Sequence, residues 1–150
     1  MSMTIQEAWL YGEKTCFDQL VERTASREGW DAFRGFLPSD RNAWMFSSGG
    51  VAGSFVMDRL AGSTPLYCTL GFQAKVMCRF ADRDDCLIFA GKVLKAFEET
   101  SNFKQIGNVL WLRLVDMPGE PTPLEINEDG LMIWVMEIPM EMIVSTNTEF

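Results

Sequence analysis

From Leu66 to Phe80 every second side chain is apolar: Leu66, Cys68, Leu70, Phe72, Ala74, Val76, Cys78 and Phe80. They alternate with Tyr67, Thr69, Gly71, Gln73, Lys75, Met77, Arg79 and Ala81, so a long strand with one buried face is predicted over 66–81. The other segments carry shorter signals. Thr4-Ile5-Gln6-Glu7 has the form of a capping box, and Ile5, Ala8, Trp9, Cys16, Phe17, Leu20 and Val21 follow near a 3.6-residue stripe, which predicts an amphipathic helix over 5–24. Residues 25–42 lack clean periodicity and read as a packed irregular connection. A short strand is predicted over 43–48, a second strand or an excursion over 51–60, and a turn at Ala61-Gly62-Ser63-Thr64-Pro65.

Asp82 stands where an N-cap belongs, with Asp84 and Asp85 in the turn that follows, so a second helix is predicted to about Thr100. Its apolar stripe is Cys86, Phe89, Ala90, Val93, Leu94 and Phe97. Strands over 109–115 and 131–145 flank a Pro/Gly loop at 117–123. In the last strand Trp134, Met136, Ile138, Met140 and Met142 share a face, while Pro139, lacking an N–H, predicts a sheet edge or a bulge. The order of elements predicts a single α+β domain over 1–150, a mostly antiparallel sheet of four to five strands with two helices packed on one face.

Composition narrows the class. A chain of 150 residues, 47% hydrophobic and 23% charged, is one domain's worth with enough apolar material for a core. Its longest apolar run, Leu131 to Met136, is far short of the roughly 20 residues needed to cross a bilayer, so no membrane partner is expected. Met1 to Gln6 shows no basic and apolar leader pattern, which makes the reducing cytosol the expected compartment. There is no histidine, which removes Ser-His and Cys-His nucleophiles, His-ligated metals and the usual general base.

The net charge of −8 is unevenly placed: residues 1–113 hold all 13 Lys and Arg against 13 acids, and the remaining eight acids all follow Arg113. A one-signed surface repels DNA, so sequence-specific nucleic-acid binding is not expected, although a lumen through which DNA slides is compatible with it.

Cys16, Cys68, Cys78 and Cys86 have no paired metal-site spacing and read as small buried hydrophobes. The glycine-rich stretch Ser48-Gly49-Gly50-Val51-Ala52-Gly53-Ser54 lacks the Lys and the following helix that a phosphate cradle requires, and reads as a hairpin tip or arm. Asp82-Arg83-Asp84-Asp85 is explained by helix capping, since an ion-binding loop would need a carboxylate where Val93 stands. No catalytic, metal or cofactor-binding residue is assigned. A Ser–Lys or two-carboxylate hydrolase is the remaining enzymatic alternative. Five Trp, eleven Phe and ten Met are more than one small core requires and suggest interfaces.

The N-terminal helix, the irregular connection, the strand Lys75-Val76-Met77-Cys78-Arg79-Phe80-Ala81-Asp82 delivering into a capped helix through Phe97, then Trp111-Leu112-Arg113-Leu114 and a final amphipathic strand together resemble the tail-terminator (minor tail) family of long-tailed bacteriophages, from about Thr4 to Val144. The resemblance implies a non-enzymatic virion protein assembled in the host cytoplasm, a homohexameric ring that caps the tail tube, stops its polymerisation and docks the neck or connector protein. In such a ring Gly49, Gly50, Val51, Gly53 and Phe55 form an expected interface arm, and Glu120, Glu125, Glu128 and Asp129 are expected to face the channel. Another phage neck or head-completion protein, or a small adaptor, is the alternative.

Overall fold

The structure is a computed structural model that describes residues 3–24, 30–49, 55–58, 67–98, 104–124 and 132–146. Its helices are α1 (Ile5–Thr24) and α2 (Arg83–Glu98), and its strands are β1 (Asp31–Arg34), β2 (Ala43–Ser48), β3 (Phe55–Asp58), β4 (Tyr67–Phe80), β5 (Lys104–Ile106), β6 (Val109–Leu114), β7 (Thr122–Pro123) and β8 (Trp134–Ser145). The fold is α+β, with one mixed, mostly antiparallel sheet in the order β1-β2-β4-β8-β6-β5. Among the described strands only β1 and β2 pair in parallel.

The sheet is built on its two long strands, β4 and β8, which pair from Thr69↔Ser145 to Phe80↔Trp134. Shorter strands occupy their outer flanks in series. β2 and β3 both pair with β4, and β6 and β7 both pair with β8. This corrects the expected four to five strands to eight among the described residues. The additional strands, β1, β5 and β7, span four residues or fewer, too few for alternation to register.

Alternation along β4 sorts its side chains as the sequence predicts: Leu70, Phe72, Ala74, Val76, Cys78 and Phe80 are buried. They join Met136, Ile138, Met140, Met142 and Val144 of β8 and the inner residues of α1 and α2 in one cluster. Trp9 of α1 stacks on Phe72 at 4.8 Å, and Phe89 of α2 meets both Phe80 and Trp44.

The edge expected at Pro139 is overturned, because β8 lies between β4 and β6. Proline is tolerated there because its carbonyl accepts from Val115 N–H, just past the last β6 pair, Leu114↔Met140. The nitrogen of a strand residue faces the same flank as its carbonyl, so the missing donor falls where β6 has ended.

The capping box forms as read: Thr4 Oγ1 accepts from Glu7 N–H, and Glu7 Oε1 accepts from Thr4 N–H. The buried line of α1 differs from the predicted stripe. It is Ala8, Gly12, Cys16, Leu20 and Thr24, one residue in four, whereas Ile5 and Val21 are exposed. Small residues on a ridge of that spacing let the helix backbone approach the sheet closely. A Cβ on Gly12 would lie 2.5 Å from Val144 Cγ1.

Residues 25–42, expected to be irregular, contain β1, and Trp30 just before it is buried against Phe80. β5 and β6 form a two-residue hairpin, Ile106↔Val109, whose Gly107 has φ 56° and where an added Cβ would lie 3.1 Å from Tyr11 Cε1. The buried Asn108 beside it donates from Nδ2 to the carbonyls of Ala8 and Ser145, tying the hairpin to α1 and β8.

Candidate functional site

The most structured polar arrangement forms where β2 ends. The Glu13 carboxylate, on the middle of α1, accepts from both the N–H and the hydroxyl of Ser48, and Arg34 of β1 lies 3.6 Å from its second oxygen. Trp9, one helical turn before Glu13, donates its indole N–H to Ser48 Oγ at 2.8 Å. The Ser48 hydroxyl is thus occupied as both donor and acceptor. The next N–H, of Gly49, donates to Gln73 O at 2.8 Å, so it is not free to act as an oxyanion donor. The arrangement ties α1, β1 and β2 together at the root of the glycine-rich segment.

A cleft of about 510 Å³ opens beside it, lined among others by Ser47, Gln73, Lys75, Val115, Glu137 and Pro139. Ser47 and Lys75 are directly opposite in the β2–β4 register, which brings a hydroxyl and an ammonium into the same cleft. Across the sheet, Arg113 pairs with Glu141 at 3.1 Å. A second hollow of about 310 Å³ is bordered by Asp40, Arg41 and Arg79. There the Arg41 guanidinium hydrogen-bonds Asp40 and holds its carboxyl below the usual carboxylate range.

Of the expected arm residues, two have described positions. Gly49 has φ 149°, a conformation that favours glycine, and an added Cβ would sit 3.6 Å from the Trp9 ring. Phe55 opens β3 and pairs with Leu70. Gly50, Val51 and Gly53 lie outside the described residues. The anchors are informative even so: Ser48 pairs with Ala74 and Phe55 with Leu70, so the six residues 49–54 connect points that are separated by only the three residues 71–73 on β4. β2 and β3 are two pieces of one strand line, with a connection longer than the gap it joins.

Of the expected channel acids, only Glu120 is described. It is 87% exposed, 3.9 Å from Arg83 at the start of α2. Glu125, Glu128 and Asp129 lie outside the described residues. The Asp82 carboxylate accepts from Asp84 N–H at 2.9 Å and caps α2. Among the described residues, no helix is long and apolar enough to cross a membrane.

The sequence reading missed Glu13, Arg34 and Lys75 as site residues. No local signal marks Glu13, whose partner is 35 positions away. Lys75 was readable only as the polar side of an alternating strand.

No protein-family model matches the chain, and no curated protein sequence matches it.

Proposed function

We propose that this chain is a structural virion protein of the tail-terminator kind, one subunit of a homohexameric ring that caps the tail tube, ends its polymerisation and presents a surface to the neck or connector protein. The observation that carries this reading is the continuous unit β4–α2, in which the long strand ending at Phe80 passes through the Asp82 cap directly into α2, as the resemblance requires. The glycine-rich connection, held at Ser48 and Phe55, is the segment that reaches a neighbouring subunit. Glu120, Glu125, Glu128 and Asp129 face the channel through which DNA passes. The protein acts in the virion tail, without a cofactor and without catalysis.

The test is light scattering with negative-stain imaging of the purified chain, alone and with tail-tube protein. Six-fold rings, formed alone or on the tube, are the expected result. A species that stays monomeric in both preparations at high concentration removes the proposal.

A second reading, a Ser–Lys hydrolase, is favoured by one feature, the placement of Ser47 opposite Lys75 in the larger cleft. Ester turnover lost on both Ser47→Ala and Lys75→Met would establish it in place of the first.

A further inference from the structure

Alternation gives the sheet a second face. The core cluster takes the even-numbered side chains of β2, β4 and β8, whereas Met45, Met77, Val135, Pro139 and Ile143 lie on the opposite side and none belongs to that cluster. This face is partly apolar. Met45 pairs with Met77 near its middle, and Trp111 and Val115, on the line of β6, are 39% and 59% exposed. Its charges are sorted by strand: β4 contributes Lys75 and Arg79 and no acid, and β8 contributes Glu137 and Glu141 and no base. Glu141 is bridged by Arg113 of β6 at 3.1 Å. Among the described residues Lys75, Arg79 and Glu137 have no ion-pair partner, although Glu137, opposite Met77, stands diagonal to both cations in the register.

We propose that a second copy of this chain covers this face, on a two-fold axis that runs parallel to the strands between β4 and β8 and sets Lys75 and Arg79 of each chain over Glu137 and Glu141 of the other.

Charge selects both the occupant and the axis. A row of cations beside a row of carboxylates is its own complement under a two-fold rotation. An axis across the strands would lay β4 on β4 and cations on cations. An axis along the strands lays β4 on the β8 of the other chain and keeps each residue at its own height. Lys75 then meets that β8 at Pro139, between Glu137 and Glu141, and Arg79 meets it at Val135, next to Glu137. The two sheets stay aligned about 10 Å apart, a gap that a long basic side chain and a facing carboxylate close between them. The area also suffices. At about 3.3 Å per residue the paired length of β4 and β8 is about 40 Å, and four strand lines about 4.8 Å apart make the face roughly 800 Å². Each partner in a standard stable interface contributes about 800 Å². The contact is separate from the proposed ring, which closes through two different patches of each subunit; this one joins either two free chains or two rings.

The experiment measures the mass of the full-length protein by multi-angle light scattering, for wild type, for Lys75→Glu with Arg79→Glu, and for Glu137→Lys with Glu141→Lys. All four positions are exposed or half-buried, so both variants should keep the circular dichroism of wild type. Each variant alone should have half the wild-type mass, a monomer in place of a dimer or one ring in place of two. Mixing the two variants in equal amounts should restore the full mass, because a reversed β4 then faces a reversed β8. A second measurement needs only wild type: carbodiimide coupling in a mixture of ordinary and heavy-isotope chains should join Lys75 of one label to Glu137 or Glu141 of the other. Wild type with the same mass as both variants, a mixture that stays at half mass, or couplings confined to a single label overturns the inference. Single rings remove it and leave the ring proposal standing, whereas paired chains without six-fold order do the reverse.

Discussion

Ser48 gives both its backbone N–H and its hydroxyl proton to one carboxylate oxygen of Glu13, which fixes the end of β2 to the middle of α1. A carboxylate serving two donors, with Arg34 on its other oxygen, is costly to remove, because the donors it leaves behind are half-buried. Glu13→Ala should lower stability by about 1–3 kcal/mol. Glu13→Gln, which keeps an acceptor for Ser48 and loses the charge facing Arg34, should cost less. Urea unfolding of the three proteins measures the order, and an alanine variant as stable as wild type would show that the contacts contribute nothing net.

The helix interior at Gly12 reverses a general rule. Alanine is ordinarily about 0.8–1.0 kcal/mol better than glycine inside a helix. Here its methyl would meet the fully buried Val144 at 2.5 Å, so Gly12→Ala should destabilise by about 1–3 kcal/mol. Shortening the partner relieves the clash: Gly12→Ala with Val144→Ala should be less destabilised than the two single variants added together. Strict additivity in that cycle would locate the cost elsewhere.

Gly12 also shows what the sequence could and could not reveal. Hydropathy assigned Ile5 and Val21 to the buried stripe of α1 and left out Gly12 and Thr24, because close backbone approach selects for smallness, which a hydrophobic pattern does not register. The long alternation of β4, the capping box at Thr4 and the Asp82 cap were legible because each depends on residues that are neighbours in the chain. The β5–β6 hairpin had a usable signal, Gly107-Asn108, but too few flanking residues for a strand pattern. Pro139 was misread because its tolerance depends on where β6 stops, a fact about another strand. The contact of Glu13 with Ser48 joins separate elements, and no local periodicity anticipates it.

Asp82→Ala should lower stability by about 1 kcal/mol, the usual cost of losing an N-cap, whereas Asp82→Asn should be nearly neutral because an amide oxygen can accept from Asp84 N–H equally well. Thermal or urea unfolding decides. An asparagine variant as unstable as the alanine variant would mean that the charge at Asp82 matters more than its hydrogen bond.

Burial pushes the Cys16 thiol well above its ordinary range, with the Glu13 charge adding to the effect. The folded state therefore keeps a proton that the unfolded chain releases above about pH 8.5. The sign follows directly: this contribution is fully present below the unfolded value and is lost as pH rises beyond it, by up to about 1.4 kcal/mol per pH unit. Between about pH 8.5 and 10, wild type should lose stability more steeply than Cys16→Ala. Urea midpoints measured across that window test this, and equal slopes for the two proteins would rule out Cys16 as the source.

The acids after Arg113 carry the functional content of the ring proposal. Glu120 is 87% exposed, and its one described ion pair, with Arg83 at 3.9 Å, is a loose surface contact. Replacing Glu120, Glu125, Glu128 and Asp129 with Lys should therefore leave the unfolding midpoint close to that of wild type. Repulsion between exposed charges fades beyond about 8 Å at physiological salt, so the substitutions affect DNA only where these side chains border its path. In an assembled ring the variant should bind double-stranded DNA with an affinity that falls steeply with added salt, and it should slow DNA passage through the tail. DNA affinity alone does not distinguish a lumen from an outer wall, since lysines on either surface attract phosphate. The deciding measurement is a reconstruction of the wild-type ring: carboxylates within reach of the channel axis sustain the role, and all four on the outer wall end it, whatever the variant binds.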